Sequence, residues 1–335
     1  MPKIKSRIQG LTGRLDFDAG AVRELRELER LTVKLDGLFA EDLDDWVVIP
    51  PDEKQAAPAV TWAPVNIKKH AAKSLWQHAD QFLLMSGTIL SHARLAGDLG
   101  LDPNEVKFIS VDFSFPPQNR PIYFLPTADM TSSSLEAKGE EAVWGQVSQK
   151  ADEIISAHPH VKGLVHTANY RLAQYFMEHS RHRGRSVTHQ NAAAREECIN
   201  SYKASEQPLV IVSPSLERGF DGSDDLCRFI IVLKIPYPNP YDPQIDCRLH
   251  QTDGQVWYIL RVIRAIIQET SRGNRHNNDY CESYILDKRF SNIFYGERDK
   301  WGYWHSGYQA FFPRYWKEAL HNCEKAPGQC ENNVP

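Results

Sequence analysis

Pro208-Leu-Val-Ile-Val-Ser213 runs directly into Pro214-Ser215-Leu-Glu217-Arg-Gly219-Phe-Asp221-Gly222, and how this stretch is read decides the fold. Leu209 to Val212 are apolar without interruption, so a strand made of them has both faces to bury. That is the signature of a parallel sheet covered by helices on both sides; a half-solvated antiparallel strand alternates instead. The apolar run stops abruptly in hydroxyls, carboxylates and glycines, and in open parallel sheets functional residues lie just past the carboxyl end of a strand.

The same grammar continues outward in both directions. Upstream, Gly163-Leu-Val-His166 ends in Thr167-Ala-Asn169-Tyr170 and passes into a helix from Arg171 to His179, a strand from Ser186 to His189 and a helix from Ala192 to Lys203. Downstream, a strand from Arg228 to Lys234 ends in Pro236-Tyr-Pro-Asn-Pro-Tyr241, and a helix from about Gln255 to Thr270 carries Val256, Ile259, Leu260, Ile263, Ile266 and Ile267 on one stripe. A strand at Ser283 to Leu286 closes the series. Strands alternating with helices at this spacing predict an α/β fold with a doubly wound parallel sheet. Right-handed crossovers are then expected to place the polar loops along one rim.

Toward the N-terminus, Val22, Leu25, Leu28, Leu31, Leu35 and Leu38 predict an amphipathic helix. A Pro-containing loop over Val48 to Pro64 and a short helical stretch over Val65 to Asp80 follow. Phe82-Leu-Leu-Met-Ser86-Gly87-Thr88-Ile-Leu90 predicts an apolar strand ending in a small polar turn, and Val106 to Val111 predicts another. Pro116-Pro117 opens a crossing segment through Pro121–Pro126, which sets the expected domain boundary near 115–125. Serines 132 to 134 precede a long helix expected to run through about Ala157. The aromatic stretch from Trp301 to Trp316 either packs on the sheet or stacks on bases, and beyond Asn322 the composition turns polar.

The chain has 335 residues, 41% hydrophobic and 24% charged, with a net charge of −4. That is the make-up of a soluble globular protein without a global basic signature, so any nucleic-acid contact has to come from a local groove. The six cysteines form no C-x-x-C pair and no zinc-like array with the histidines. No apolar run reaches the length of a membrane span and no signal-peptide profile is present, so a cytoplasmic protein with reduced thiols is expected.

No G-x-x-x-x-G-K-[ST], G-x-S-x-G or H-E-x-x-H occurs, and no G-x-G-x-x-G follows a strand. His158-Pro-His160 and the group His179, His182 and His189 lack neighbouring ligands at metal spacing and read as solvated or packing histidines. What remains are polar loops: Ser86 to Thr88, Thr167 to Tyr170, Ser215 to Asp221, and Gln268-Glu-Thr-Ser-Arg272-Gly-Asn-Arg275. Two arginines three apart at a helix end share a face and suit a phosphate; alternatively they decorate a solvated helix end. Ser86-Gly87-Thr88 is likewise either a site or a capped strand-to-helix turn.

Together these stretches resemble the C-terminal part of superfamily 2 DNA helicases of the DinG/XPD-like family. Leu83-Leu-Met-Ser86-Gly87-Thr88 resembles motif III, Gly163 to Tyr170 motif IV, and Ser215-Leu-Glu217-Arg-Gly219-Phe-Asp221 motif V with Arg218 inserted. Gln268 to Arg275 resembles motif VI with Ser271 in place of glycine, and Ile285-Leu-Asp287-Lys-Arg289-Phe290 follows as in that family. The resemblance, over roughly 60–320, implies a RecA-like helicase C-terminal domain at 119–322. It would be preceded at 1–118 by an incomplete portion of a first RecA-like domain, with the end of an arch insertion at 1–45, and followed by a polar tail at 323–335.

The resemblance also implies roles. Arg272 and Arg275 would reach the γ-phosphate of ATP with Mg2+, Arg275 as the arginine finger, and Gln268 would help to position that helix or a phosphate-bound water. Glu217, Gly219 and Asp221 would couple the nucleotide site to the DNA groove, Ser86 and Thr88 would relay the nucleotide state between domains, and Thr167, Asn169 and Tyr170 would touch the single-strand backbone or an adjacent base. The Walker A and DEAH-type boxes of the family do not occur in these residues, so a partner half bearing them is expected, with work in DNA repair or replication. Two other readings stand beside this one. One is a non-hydrolysing module that binds nucleic acid or protein. The other is an unrelated α/β enzyme, for which Arg272 and Arg275 would lie away from the strand-end rim.

Overall fold

Strand Val210–Ser213 is buried along its whole length, as its unbroken apolar run requires. The computed structural model describes residues 2–12, 19–39, 46–49, 61–111, 115–216, 219–298 and 304–322. Elements are numbered along the chain: strands β1 (Trp46–Ile49), β2 (Thr61–Pro64), β3 (Ile122–Ala128), β4 (Gly163–His166), β5 (Ser186–Thr188), β6 (Val210–Ser213), β7 (Phe229–Val232), β8 (Glu282–Asp287), β9 (Gly296–Arg298), β10 (Trp304–Ser306) and β11 (Leu320–Asn322). The helices are α1 (Pro2–Thr12), α2 (Ala19–Phe39), α3 (Lys68–Ser74), α4 (His92–Asp98), α5 (Ser132–Lys138), α6 (Glu140–Ala157), α7 (Tyr170–His179), α8 (Arg195–Ala204), α9 (Pro243–Leu249), α10 (Gly254–Thr270), α11 (Arg289–Phe294) and α12 (Arg314–Ala319).

Two compact units are present. The first comprises 1–78, 98–100 and 240–251. In it α1 and α2 pack through Leu11, Ala21 and Leu25, and β1 pairs antiparallel with β2. Its 240–251 segment, inserted between β7 and α10, is tied in by Gln244 Nε2 donating to the Pro64 carbonyl at 2.8 Å and by buried Arg248.

The second unit, 79–97, 101–239 and 252–335, is built on a seven-stranded sheet in the order β11-β3-β8-β7-β4-β6-β5, parallel at each pairing. Val165, Ile231, Tyr284 and Leu286 face α6 and α7. Val232 and Ile285, on the opposite face, pack with Leu260, Val262, Ile263, Ile266 and Ile267 of α10. Fully burying one such aliphatic side chain contributes about 1.5–3 kcal/mol, so the stripe on α10 is what fixes that helix to the sheet. From β4 the chain runs to β5 and β6 on one side, and later to β7 and β8 on the other. The loops leaving β4 and β7 therefore diverge, the arrangement that opens a crevice at the carboxyl ends of parallel strands.

The doubly wound sheet is as the sequence predicts, with local corrections. Phe82–Met85 and Val106–Val111 are not strands: both segments lack ladder partners and leave Leu83, Met85, Ile109 and Val111 70–86% exposed. A strand exists only by pairing, and no described strand lies beside them. The expected crossing segment Pro121–Pro126 contributes instead to β3, an inner strand; its register shifts between Phe124 and Ala128, around Pro126, which has no N–H to donate. The single helix expected after Ser134 begins earlier, at Ser132, and breaks into α5 and α6 at Gly139, whose φ of 85° is natural only for glycine. In the aromatic stretch Phe312 and Trp316 are buried against α10 and α11, so those two are core. Glu217, Arg218, Trp301, Tyr303 and the 323–335 tail lie outside the described residues.

Candidate functional site

Arg272 and Arg275 do not share a helix face, because α10 ends at Thr270 and both arginines sit in the loop beyond it. Ser271, at φ −111°, needs no glycine; the glycine that matters is Gly273. A Cβ there would meet Cys281 Sγ at 2.2 Å and the Cys227 carbonyl at 2.7 Å, so only a bare backbone fits against the start of β7 and β8. Gly222 N donates to the Arg272 carbonyl at 3.3 Å, which seats the loop beside the 219–222 segment. Both guanidiniums converge there: Arg272 Nη1 donates to the Phe220 carbonyl at 3.2 Å and Arg275 Nε to Asp221 Oδ1 at 2.8 Å. Arg275 and Asp221 are open to water, with side chains 38% and 65% exposed.

Asp279, fully buried, organises the loop. Its Oδ1 accepts from Arg228 Nη1 at 2.9 Å, Asp224 N at 3.2 Å and Tyr280 N at 2.9 Å, and its Oδ2 accepts from Arg275 N at 3.0 Å. The backbone of Arg275 is thus pinned while its side chain is left outside. Nothing in the sequence marks this residue, because an Asp in the polar run Asn277-Asn-Asp279 looks like any solvated acid. Asp224, His276 and Asp279 also bring ligand atoms within 4.8 Å of one another. Asp279 is engaged by its four hydrogen bonds and His276 Nε2 by Asp224 Oδ1 at 3.0 Å, so the group is a hydrogen-bonded corner.

The four polar loops do not share one rim. Residues 271–281 connect a helix to a strand, and in a parallel sheet such a connection returns to the amino edge. Arg228 N donates to the Lys162 carbonyl, just before β4, and Glu282 N to the Arg228 carbonyl, which places the Asp279–Arg228 pair at that edge. The expected single rim neglects this direction of travel; since any helix-to-strand connection lands at the amino edge, the arginines' position away from the carboxyl rim does not separate a helicase domain from an unrelated α/β enzyme. The segment linking β6 to β7 joins the edges. Its first residues, Ser213 to Leu216, lie at the carboxyl end of β6, whereas Gly219, at φ 73°, and Phe220–Gly222 lie beside the arginines. A Cβ on Gly219 would stand 3.1 Å from Arg195 Nη2.

At the carboxyl edge, Thr167 is buried, its hydroxyl donating to the Asn169 carbonyl at 3.1 Å. Asn169 Oδ1 accepts from Leu172 N at 2.8 Å and caps α7. Between them Ala168 holds φ 60°, an uncommon conformation for a residue with a Cβ. Of these three candidates, Tyr170 is the one that presents its side chain, 39% exposed, and it lies against His189.

Gln268 Nε2 donates to Thr88 Oγ1 at 3.4 Å and Arg264 Nε to the Thr88 carbonyl at 3.4 Å, while Ser86 Oγ accepts from Thr88 N at 3.1 Å. Three sequence candidates from distant stretches are therefore joined. Next to Gln268, buried Glu269 stands 3.6 Å from His166 Nδ1 at the end of β4. Neither His166 ring nitrogen finds a hydrogen bond among the described residues. Burial first, then the charge of Arg272, push its pKa down to about 3, so the imidazole is neutral. Asp287, which accepts from the backbone N–H groups of Met130, Ile235 and Arg289, is pushed up to about 6 by burial despite them.

Residues 152–299, which contain this constellation apart from Ser86 and Thr88, match the helicase C-terminal domain family. The ATP-dependent DNA helicase CHL1 of Candida albicans is 31% identical over 97 residues, covering 24% of this chain and 12% of that protein. The regulator of telomere elongation helicase 1 of Homo sapiens is 30% identical over 97 residues, covering 25% of this chain and 8% of that one. The matched stretch thus spans about a tenth of these relatives. A solved structure of apo XPD superposes with a TM-score of 0.53 at 14% identity, covering 84% of this chain and 57% of that one. At that identity the likeness speaks for the fold.

Proposed function

Since the chain carries the C-terminal helicase domain of the DinG/XPD-like branch of superfamily 2, we propose that it supplies the arginine-finger side of an ATP cleft and one wall of a single-stranded DNA groove. The observation that carries this is where the described ends of the Ser213–Gly222 segment lie, Ser213–Leu216 at one edge and Gly219–Gly222 at the other. The first is at the edge where Tyr170 is presented, and the second is hydrogen-bonded to Arg272 and Arg275. A change in what the arginines hold is thereby passed to the edge that meets DNA.

The arginines fit the phosphate end of a nucleotide. Arg275 is solvent-facing and held by an exposed carboxylate, which a γ-phosphate can replace because it offers more charge and more acceptor oxygens to the guanidinium fork. ATP, when bound, supplies the phosphoryl group whose transfer drives the cycle, and the guanidiniums stabilise its developing charge. Magnesium is a poorer fit to these residues, since the grouped oxygens of Asp224 and Asp279 are engaged. In this proposal the metal is held by a half bearing Walker A and DEAH-type boxes. Exposed Leu83, Met85, Ile109 and Val111, whose sequences read as buried strands, support such a partner half.

The test is ATP turnover with single-stranded DNA, by the purified chain alone and with the Walker-bearing half. Turnover that needs both components and is lost with Arg275→Ala is expected. Robust turnover by the chain alone, abolished by the same substitution, would refute the shared site.

A further inference from the structure

We propose that His189 is a positioning residue of the nucleic-acid edge, holding the Tyr170 ring and the start of the Ser215–Asp221 loop in one arrangement. The proposal rests on the reading of that edge as the DNA-binding wall.

His189 directly follows β5 and is 3% exposed, so it is no surface charge for a phosphate. Its Nδ1 lies 3.0 Å from the Asn191 carbonyl, which can only accept; Nδ1 therefore carries the proton. Nε2 is then a lone pair and accepts from the Ser213 hydroxyl at 2.7 Å. Ser213 Oγ in turn accepts from Ser215 N at 3.2 Å. One neutral tautomer thus satisfies a chain of hydrogen bonds from the β5 end to the first residues after β6. The flank of the imidazole supports Tyr170 edge-on, with ring centroids 5.6 Å apart at 87°. Asn191 is fixed as well, its Oδ1 accepting from Ala194 N at 3.0 Å ahead of α8. Three adjacent strand ends (β4, β6 and β5) therefore meet on one side chain. A histidine that merely filled core volume would need neither the Ser213 bond nor contact with an exposed tyrosine.

The experiment measures binding of the full chain to a fluorescein-labelled dT12 strand across a salt series, together with quenching of a 2-aminopurine base in an otherwise identical strand. Loss of a stacking aromatic weakens binding about 5- to 100-fold, so that is the range for Tyr170→Ala. His189→Ala should weaken binding and relieve 2-aminopurine quenching in the same direction. The slope of affinity against salt should stay unchanged, because no phosphate contact is removed. The double variant should bind no more weakly than Tyr170→Ala. His189→Gln, whose amide can still meet the Ser213 hydroxyl, should fall between; it also decides the matter if His189→Ala does not fold.

Wild-type binding by both folded His189 variants, with Tyr170→Ala weakened, overturns the positioning role and leaves the DNA-binding edge standing. Losses that multiply in the double variant, or a changed salt slope, overturn it too. Unaltered binding by Tyr170→Ala overturns both readings.

Discussion

Arg275 Nε donates to Asp221 Oδ1 at 2.8 Å, across 54 positions of sequence, and both side chains are open to water. An exposed ion pair is worth about 0–1 kcal/mol, so this contact orients Arg275 without committing it. Arg275→Ala should leave the urea midpoint of the chain nearly unchanged. If Arg275 is the arginine finger proposed above, the same substitution should lower the turnover number for ATP by about 10³ or more when the Walker-bearing half is present. A steady-state ATPase assay with the Walker-bearing half reads this. A loss below tenfold would assign Arg275 to the surface.

Asp279 makes the opposite case. Its carboxylate is fully buried and binds Arg228 and three backbone N–H groups. Asp279→Ala strands those donors, and breaking a buried pair typically costs about 3–5 kcal/mol. Urea unfolding should show a loss of that order, with Asp279→Asn losing less. If Asp279→Ala unfolded at the parent midpoint, the loop would have to be held by something else.

The strand positions and the apolar stripe of α10 are legible in the sequence because burial on both faces leaves an unbroken run and a helix leaves a 3.6-residue period. Two of the candidate loops, after β4 and β6, follow such a run directly; Ser86–Thr88 follows no strand and Arg272–Arg275 follows a helix. What the sequence concealed depends on partners. Phe82–Met85 has the composition of a strand but not its neighbours. Arg272 and Arg275 have the spacing of a helix face, yet α10 ends at Thr270, before both of them. Asp279 and His189 are undistinguished letters whose roles come from the groups folded around them.

Gly273 tests the close packing of the arginine loop. A methyl at this position would overlap Cys281 Sγ and crowd the Cys227 backbone. Gly273→Ala should cost about 1–3 kcal/mol, the range for overpacking a tight core. Adding Cys281→Ala should recover part of that loss and not all, since the Cys227 carbonyl remains. Differential scanning fluorimetry of the three variants is sufficient, and full recovery in the double variant would place the strain on the thiol alone.

His166 and Asp287 give stability a pH dependence of opposite sign. His166 falls from 6.5 to about 3 on folding, so the unfolded chain binds the extra proton between those values. Its contribution is complete above pH 6.5 and lost as the pH falls toward 3. Asp287 rises from 3.8 to about 6, so the folded chain binds the extra proton. Its contribution is complete below 3.8 and lost as the pH rises through 6. The two offset each other between about 3.8 and 6. His166→Leu should therefore lose less stability than the parent between pH 7.5 and 4.5, and Asp287→Asn should lose more. Urea midpoints at the two pH values measure this, and parallel behaviour of all three proteins would contradict it.

The exposed segments around Met85 and Val111 carry the last prediction. Their side chains are 82% and 86% exposed, so they contribute little to folding of the chain, and exposed substitutions usually change stability by about 0.5 kcal/mol or less. If these segments pair with strands of the Walker-bearing half, burying each side chain there should be worth on the order of 1–2 kcal/mol. Met85→Ser and Val111→Ser should then each weaken association of the two halves about tenfold, with the thermal midpoint of the isolated chain unmoved. Calorimetric titration of one half into the other reads the affinity directly. Unchanged affinity in the double variant would mean that the second half binds elsewhere, and that these two apolar stretches answer to another partner.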